Sequence, residues 1–309
     1  MDLGRTSGSR LSFEPRNVRK CIEVKSTNGR GPLTAREVMH EEKHTLVSHP
    51  RDPRFIVLRS LQTPQGRFRT GFYLIEGIRH VARAVEHHAP IQSLFIDPSI
   101  LSNPFGRKLA HRLRKSGLPS VQLSRPLYRE LTLAAAPQGI GAVVRQHWTP
   151  IASVRPERNS FWLAVESIDS PGNLGTIVRT AEATGVAGIF LIGTDPDPFD
   201  PAAVRASMGS LFSQRLMKCT VREFTDWTRS SRVSVIASSP AGLLDYRALR
   251  YRWPAVLLMG GEKHGLSQHL IETSDFTVRL PMLGSCDSIN VAVAAGVLLY
   301  EMFNQSRGV

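Results

Sequence analysis

Three short segments carry polar residues at spacings that could serve a reaction. The first is SPGNLGTIVRTAEATG (170–185), in which a Pro171-Gly172 turn precedes Asn173, and Arg179 follows six residues later. An asparagine there can cap a helix. An arginine on that helix can hold an anion or a surface carboxylate. The second is MGGEKHG (259–265), with three glycines in seven residues. Such a run lets the backbone approach a ligand closely and offers free N–H groups, but it also reads as an ordinary turn. Glu262 and His264 resemble an acid–base pair, although near neighbours on a turn seldom act together. The third is LPMLGSCDSIN (280–290), where Ser288 and Asn290 stand at the entrance to an apolar segment. Buried without partners they would cost roughly 1–3 kcal/mol each, so partners are expected, and the helix end is one source.

Several chemistries are excluded. No GxGxxG, P-loop, HExxH or metal-ligand spacing occurs. The three cysteines, Cys21, Cys219 and Cys286, contain no CxxC pair, which argues against a disulfide framework and a zinc site. No metal is expected. His80, His87 and His88 fall on an amphipathic helix and read as solvated. No Ser/His/Asp arrangement is legible.

The elements that must position these loops alternate in type. Residues 161–167, 188–193, 233–238, 255–260 and 276–281 read as strands. Helices are expected at 173–184, at 202–211 and at 288–304, the last apolar nearly all round and therefore buried. That alternation predicts a parallel sheet covered on both faces. Ligands bind such sheets at the carboxyl ends of the strands, where all three segments lie. Earlier in the chain, strands at 71–75, 91–96, 120–123 and 140–145 alternate with helices at 52–61, 77–88, 105–117 and 126–135, giving a smaller α/β domain over 47–147. Residues 148–160 read as a polar, proline-punctuated linker, followed by a second domain over 161–309. Residues 1–46 read as a basic, flexible extension.

Charge separates the two halves. Of 39 basic residues, 32 are Arg. Residues 1–160 hold 26 basic and 12 acidic side chains, a net +14, whereas the remainder is at −1. Solubility alone does not require such asymmetry. A polyanion-binding module joined to a near-neutral one does. No apolar run reaches the ~20 residues of a membrane span, and no secretory signal is evident. A cytoplasmic protein is expected.

The three loops resemble the three motifs of the SpoU (TrmH) family of RNA ribose 2′-O-methyltransferases, in the SPOUT superfamily. Asn173 and Arg179 match the first, Gly260-Gly261-Glu262 with Gly265 and Leu266 the second, and Leu280-Pro281-Met282 with Ser288-Ile289-Asn290 the third. VRASMGSLF (204–212) is also typical. Residues 47–147 resemble the family's substrate-binding domain, similar to ribosomal protein L30e. Gly261 departs from the commoner asparagine and lacks an amide that would hold the loop. The resemblance implies S-adenosylmethionine (AdoMet) as methyl donor, a ribose hydroxyl of structured RNA as acceptor (rRNA rather than tRNA), a C-terminal trefoil knot and a homodimer. It places Arg179, Asn173, Glu262, Ser288 and Asn290 in the catalytic site. It places Leu258, Gly260, Gly261, Leu280, Met282, Ile289 and Asn290 around the cofactor. Two other readings stay open: a non-catalytic RNA-binding or assembly protein, and an AdoMet-dependent RNA base methyltransferase.

Overall fold

The computed structural model describes residues 46–193 and 197–308. The expected basic extension lies outside the described residues except for Leu46.

The first domain comprises β1 (Leu46–Val47), α1 (Pro53–Ser60), α2 (Pro64–Thr70), β2 (Phe72–Glu76), α3 (Ile78–Glu86), β3 (Ile91–Ile96), α4 (Pro104–Lys115), β4 (Ser120–Leu123), α5 (Arg125–Leu131) and β5 (Ile140–Arg145). Its mixed sheet runs β1-β4-β3-β5-β2, with β5 antiparallel to both neighbours. Helix α2 is an element that the sequence pattern hid, because Pro-Gln-Gly reads as a turn. Thr63 caps it by accepting from Gly66 N. Gly66 is required, since a Cβ there would lie 1.9 Å from the Ser60 carbonyl oxygen.

The second domain comprises β6 (Phe161–Glu166), α6 (Pro171–Ala183), β7 (Ile189–Ile192), α7 (Pro201–Ala206), β8 (Leu216–Cys219), α8 (Val221–Ser231), β9 (Ser234–Ser238), β10 (Leu244–Asp245), β11 (Ala255–Met259), α9 (Gln268–Glu272), β12 (Phe276–Arg279) and α10 (Val291–Ser306). The expected helix 202–211 is instead α7 followed by a separate 3-10 turn, Ser210–Phe212. All pairings in the sheet are parallel, in the order β10-β12-β9-β11-β6-β7-β8. Strand β11 enters between β6 and β9, and β12 between β9 and β10. The loops leaving β6, β11 and β12 therefore emerge at one end of the sheet.

One apolar core runs through both domains, from Tyr73, Ile75 and Leu94 to Leu163, Ile189 and Leu257. Phe199 inserts between them, 4.7 Å from the Tyr73 ring and 5.1 Å from Trp148. Arg67, only 1% exposed, bonds Asp197 at 2.8 Å and Asp200 at 3.0 Å across the junction. The two carboxylates are 34% and 24% exposed, so solvent screens part of the attraction to the buried guanidinium. The segment expected as a loose linker is packed: Val154 is buried and accepts from Trp227 Nε1, and Thr149 N donates to Leu216 O.

Two expectations about exposure fail. His80 is buried, because the carbonyls of Val204 and Arg205 in α7 close over it, and burial pushes its imidazole below the ordinary value. Helix α10 is not buried all round. Leu298, Leu299 and Met302 face the core, whereas Val293, Val297 and Tyr300 are 56%, 39% and 50% exposed. Their spacing of four and three residues makes them one uninterrupted stripe.

Candidate active site

Helix α6 follows β6 through a turn ending in Ser170, whose Oγ accepts from Asn173 N. Ser170 is thus the cap, and Asn173 keeps its side chain free for other work. Helix α10 is capped by Asn290, whose Oδ1 accepts from Ala292 N at 2.9 Å and Val293 N at 3.3 Å. That assignment fixes the amide, leaving Nδ2 to donate to Asn173 Oδ1 at 3.2 Å. Asn173 Nδ2 in turn donates to Glu262 Oε1 at 2.7 Å, and Glu262 Oε2 accepts from Asp169 N at 3.2 Å. Asn290, Asn173 and Glu262 come from three loops and form one directed chain of hydrogen bonds. Two further bonds tie the first loop to the second: Lys263 Nζ to Asp169 at 3.3 Å, and Ser267 N to Glu166 Oε2 at 2.7 Å.

The glycines of the second loop are used for close approach. A Cβ on Gly260 would lie 2.2 Å from the Gly265 carbonyl carbon, and one on Gly261 would lie 2.0 Å from Ser167 O. The Ser167 carbonyl therefore fills the space where an asparagine side chain would begin. Ser167 itself sits at φ 56°, a left-handed conformation with a cost for a residue bearing Cβ.

Beside this network lies a cavity of about 500 Å³. Gly260, Gly261, Glu262, Leu280, Met282, Ser288, Ile289 and Asn290 all contribute to its wall. Leu258 does not. It is fully buried among Trp162, Ala164 and Ala237, because adjacent strand residues face opposite sides of the sheet. Its neighbour Met259 reaches the cavity instead. Met282 and Ile289 are 37% and 40% exposed, apolar groups at the cavity wall that an apolar ligand would cover. The wall suits AdoMet: glycine backbone for close approach, apolar side chains for the adenosine, and a polar edge at Glu262 and Asn290. Among the described residues no group of His, Cys, Asp and Glu could hold a metal.

Arg179 stands apart. It is exposed on α6 and makes no ion pair or hydrogen bond among the described residues. Six helical residues carry it about 9 Å along and about 120° around from Asn173, away from the hydrogen-bonded chain. Its cationic head is free for an external anion.

The first domain presents a basic face. Helix α4, PFGRKLAHRLRK, has no acidic residue, and Arg107, Lys108, His111, Arg112 and Lys115 are all exposed. Phe105, 58% exposed, stands at its start. No helix among the described residues is long and apolar enough to cross a membrane.

Residues 160–300 match the SpoU rRNA Methylase family, and residues 53–142 match the MRM3-like substrate binding domain. The 23S rRNA (uridine(2479)-2′-O)-methyltransferase of Streptomyces viridochromogenes is 31% identical over 77% of this chain and 85% of its own. The 23S rRNA (guanosine(2553)-2′-O)-methyltransferase of Bacillus subtilis is 26% identical over 79% of this chain and 93% of its own. Among solved structures, an AdoMet-bound rRNA methyltransferase from Sinorhizobium meliloti superposes with a TM-score of 0.76 at 31% identity, covering 84% of this chain and 97% of that one. This chain belongs to the SpoU rRNA methylase family.

Proposed function

We propose that this protein transfers a methyl group from AdoMet to a ribose 2′-hydroxyl of structured RNA, ribosomal rather than transfer RNA, in the cytoplasm. The observation that carries the reading is the chain Asn290–Asn173–Glu262, which joins three strand-end loops at the wall of a glycine-lined cavity. The rRNA preference is supported by the two relatives above, both named for 23S rRNA. The reading includes the trefoil knot: β11 and β12 enter gaps between other strands of the sheet, which supports a chain that threads its own loop.

Bound AdoMet supplies an activated sulfonium methyl. The backbone at Gly260, Leu280 and Ile289, with the Met282 side chain, would hold the adenosine part. Asn290, Asn173, Glu262 and Ser288 would position the polar edge of the site. Arg179 meets the RNA. A guanidinium holds its proton far above neutral pH, so the role assigned to it is electrostatic: it stabilises the oxygen as negative charge develops there. The hydroxyl proton passes to water or a phosphate oxygen. With the 2′-oxygen aligned on the methyl, positioning supplies much of the remaining acceleration. The exposed α10 stripe supports a homodimer, in which Arg179 can serve the cavity of the other subunit.

Methyl transfer from labelled AdoMet to unmodified total RNA, followed by mapping of the modified nucleotide, tests the reading. A 2′-O-methyl in rRNA is expected. A methylated base, or no transfer by a folded protein that binds RNA, would replace it with one of the other two readings.

A further inference from the structure

A second cleft opens at the opposite end of the seven-stranded sheet. Strands β9, β11 and β12 begin there, at Ser234, Ala255 and Phe276, whereas the loops of the active site leave from carboxyl ends. The cleft encloses about 500 Å³, within the range of small-ligand pockets. Arg229, from the last turn of α8, Arg232, at its C-cap, and Arg252, leading into β11, all line it. Each is exposed, and none of the three side chains has an ion-pair or hydrogen-bond partner among the described residues. Half-buried Trp253 and Phe276 form apolar wall, and the Trp253 ring is braced by Phe161 at 6.0 Å and Tyr251 at 6.1 Å. Asp275 is the one acid in the lining, and its Oδ2 is taken by Val235 N at 2.7 Å.

A helix dipole favours cations in the last turn, and that accounts for Arg229 taken alone. It does not account for Arg252, which arrives from a separate loop. Nor does it account for Arg232 rather than glycine at φ 53°. Three like charges around one cleft repel one another unless an anion lies between them.

We propose that this cleft binds a nucleotide unit, with its phosphate held by Arg229, Arg232 and Arg252 and its base against Trp253 and Phe276. Planar guanidinium forks match phosphate oxygens in pairs, and aromatic walls accept any base by its face. The unit is a free nucleotide or one residue of an RNA strand that continues past the second domain. The inference stands independently of methyl transfer.

Photocrosslinking of a 4-thiouridine-containing RNA pentamer to the full-length protein, with the adduct mapped, tests it. Adducts at Trp253 or Phe276 are expected, with yield falling about tenfold in R229Q/R232Q/R252Q while AdoMet binding and Tm hold. Competition by excess adenosine 5′-monophosphate would identify a free nucleotide as ligand. Crosslinks that resist it would identify the strand. Arg252→Gln alone, in a loop, serves if the triple variant is unstable. No adduct at either ring, or equal yield without the arginines, overturns the proposal.

Discussion

Asn290 and Asn173, 117 residues apart in sequence, share a hydrogen bond of 3.2 Å that links the cap of the last helix to the first site loop. The Asn290 amide is divided between two tasks, its oxygen capping α10 and its nitrogen holding Asn173. Asn290→Asp keeps the acceptor and loses the donor, whereas Asn290→Ala loses both. The alanine variant should lose ~1 kcal/mol of stability, the typical value of a cap, and bind AdoMet more weakly. The aspartate variant should keep its Tm and still bind AdoMet weakly. Thermal melts beside calorimetric titration separate the two, and equal AdoMet affinity in wild type and both variants would remove Asn290 from the site.

The three loops were legible because their sequences combine turn residues with polar groups at strand ends, where a parallel sheet gathers its ligands. Their mutual contacts were not, since nothing local says that Ser170 rather than Asn173 caps α6. Leu258, expected at the cofactor, lies one strand position from Met259 of the cavity wall, and one position exchanges the two faces of a sheet. Strand β8, LMKC, is interrupted by the exposed Lys218, and β10, Leu244–Asp245, has two residues, too few to show a period. The burial of His80 depends on α7, more than a hundred residues away, and no periodicity within α3 reports it.

Arg179→Ala should reduce methyl transfer by ~100–1000-fold, the usual effect of losing a transition-state donor. AdoMet affinity and Tm should stay unchanged, because the side chain does not line the cavity and makes no ion pair or hydrogen bond among the described residues. Arg179→Lys should fail too, lacking the planar fork. Single-turnover rates on the mapped RNA give the measurement. A variant that retains more than about a tenth of the rate, well short of such a loss, contradicts the role.

Leu258 and Met282 predict opposite phenotypes. Leu258→Ala opens a hole in a closed core and should destabilise by ~2–5 kcal/mol. Met282→Ala, at an exposed cavity wall, should weaken AdoMet binding with little change in denaturant midpoint. Urea melts and calorimetry on both variants decide, and loss of AdoMet affinity from a still-folded Leu258→Ala would restore that residue to the site.

RNA affinity should fall steeply with salt, because each neutralised phosphate releases counterions. Lys108, Arg112 and Lys115 lie on the acid-free helix α4. K108E/R112E/K115E should weaken RNA binding and flatten the salt slope by about one per lost contact, leaving AdoMet binding intact. Filter binding across a salt series measures both quantities. An unchanged slope would move the RNA to another face.

The stripe Val293, Val297 and Tyr300 of α10 is left uncovered by the described residues. Apolar side chains on one helical face are covered in most folded proteins, and a contiguous exposed set marks an interface. A second copy is the expected cover, since the hydrogen-bonded chain and Arg179 occupy different faces within one subunit and a dimer can reunite them. Val297→Glu would place a charge in the middle of that contact, where it could not be paired by symmetry, because each copy would bring the same sign. The variant should run as a monomer in sedimentation velocity, keep its secondary structure, and lose methyl transfer. Mixing it with an Arg179→Ala protein should restore nothing, because it no longer associates. The pairing of Arg179→Ala with Asn290→Ala, each intact at the interface, should recover part of the activity through mixed dimers that hold one complete site. Full activity in monomeric Val297→Glu would show that one chain suffices and that Arg179 reaches the RNA from its own subunit.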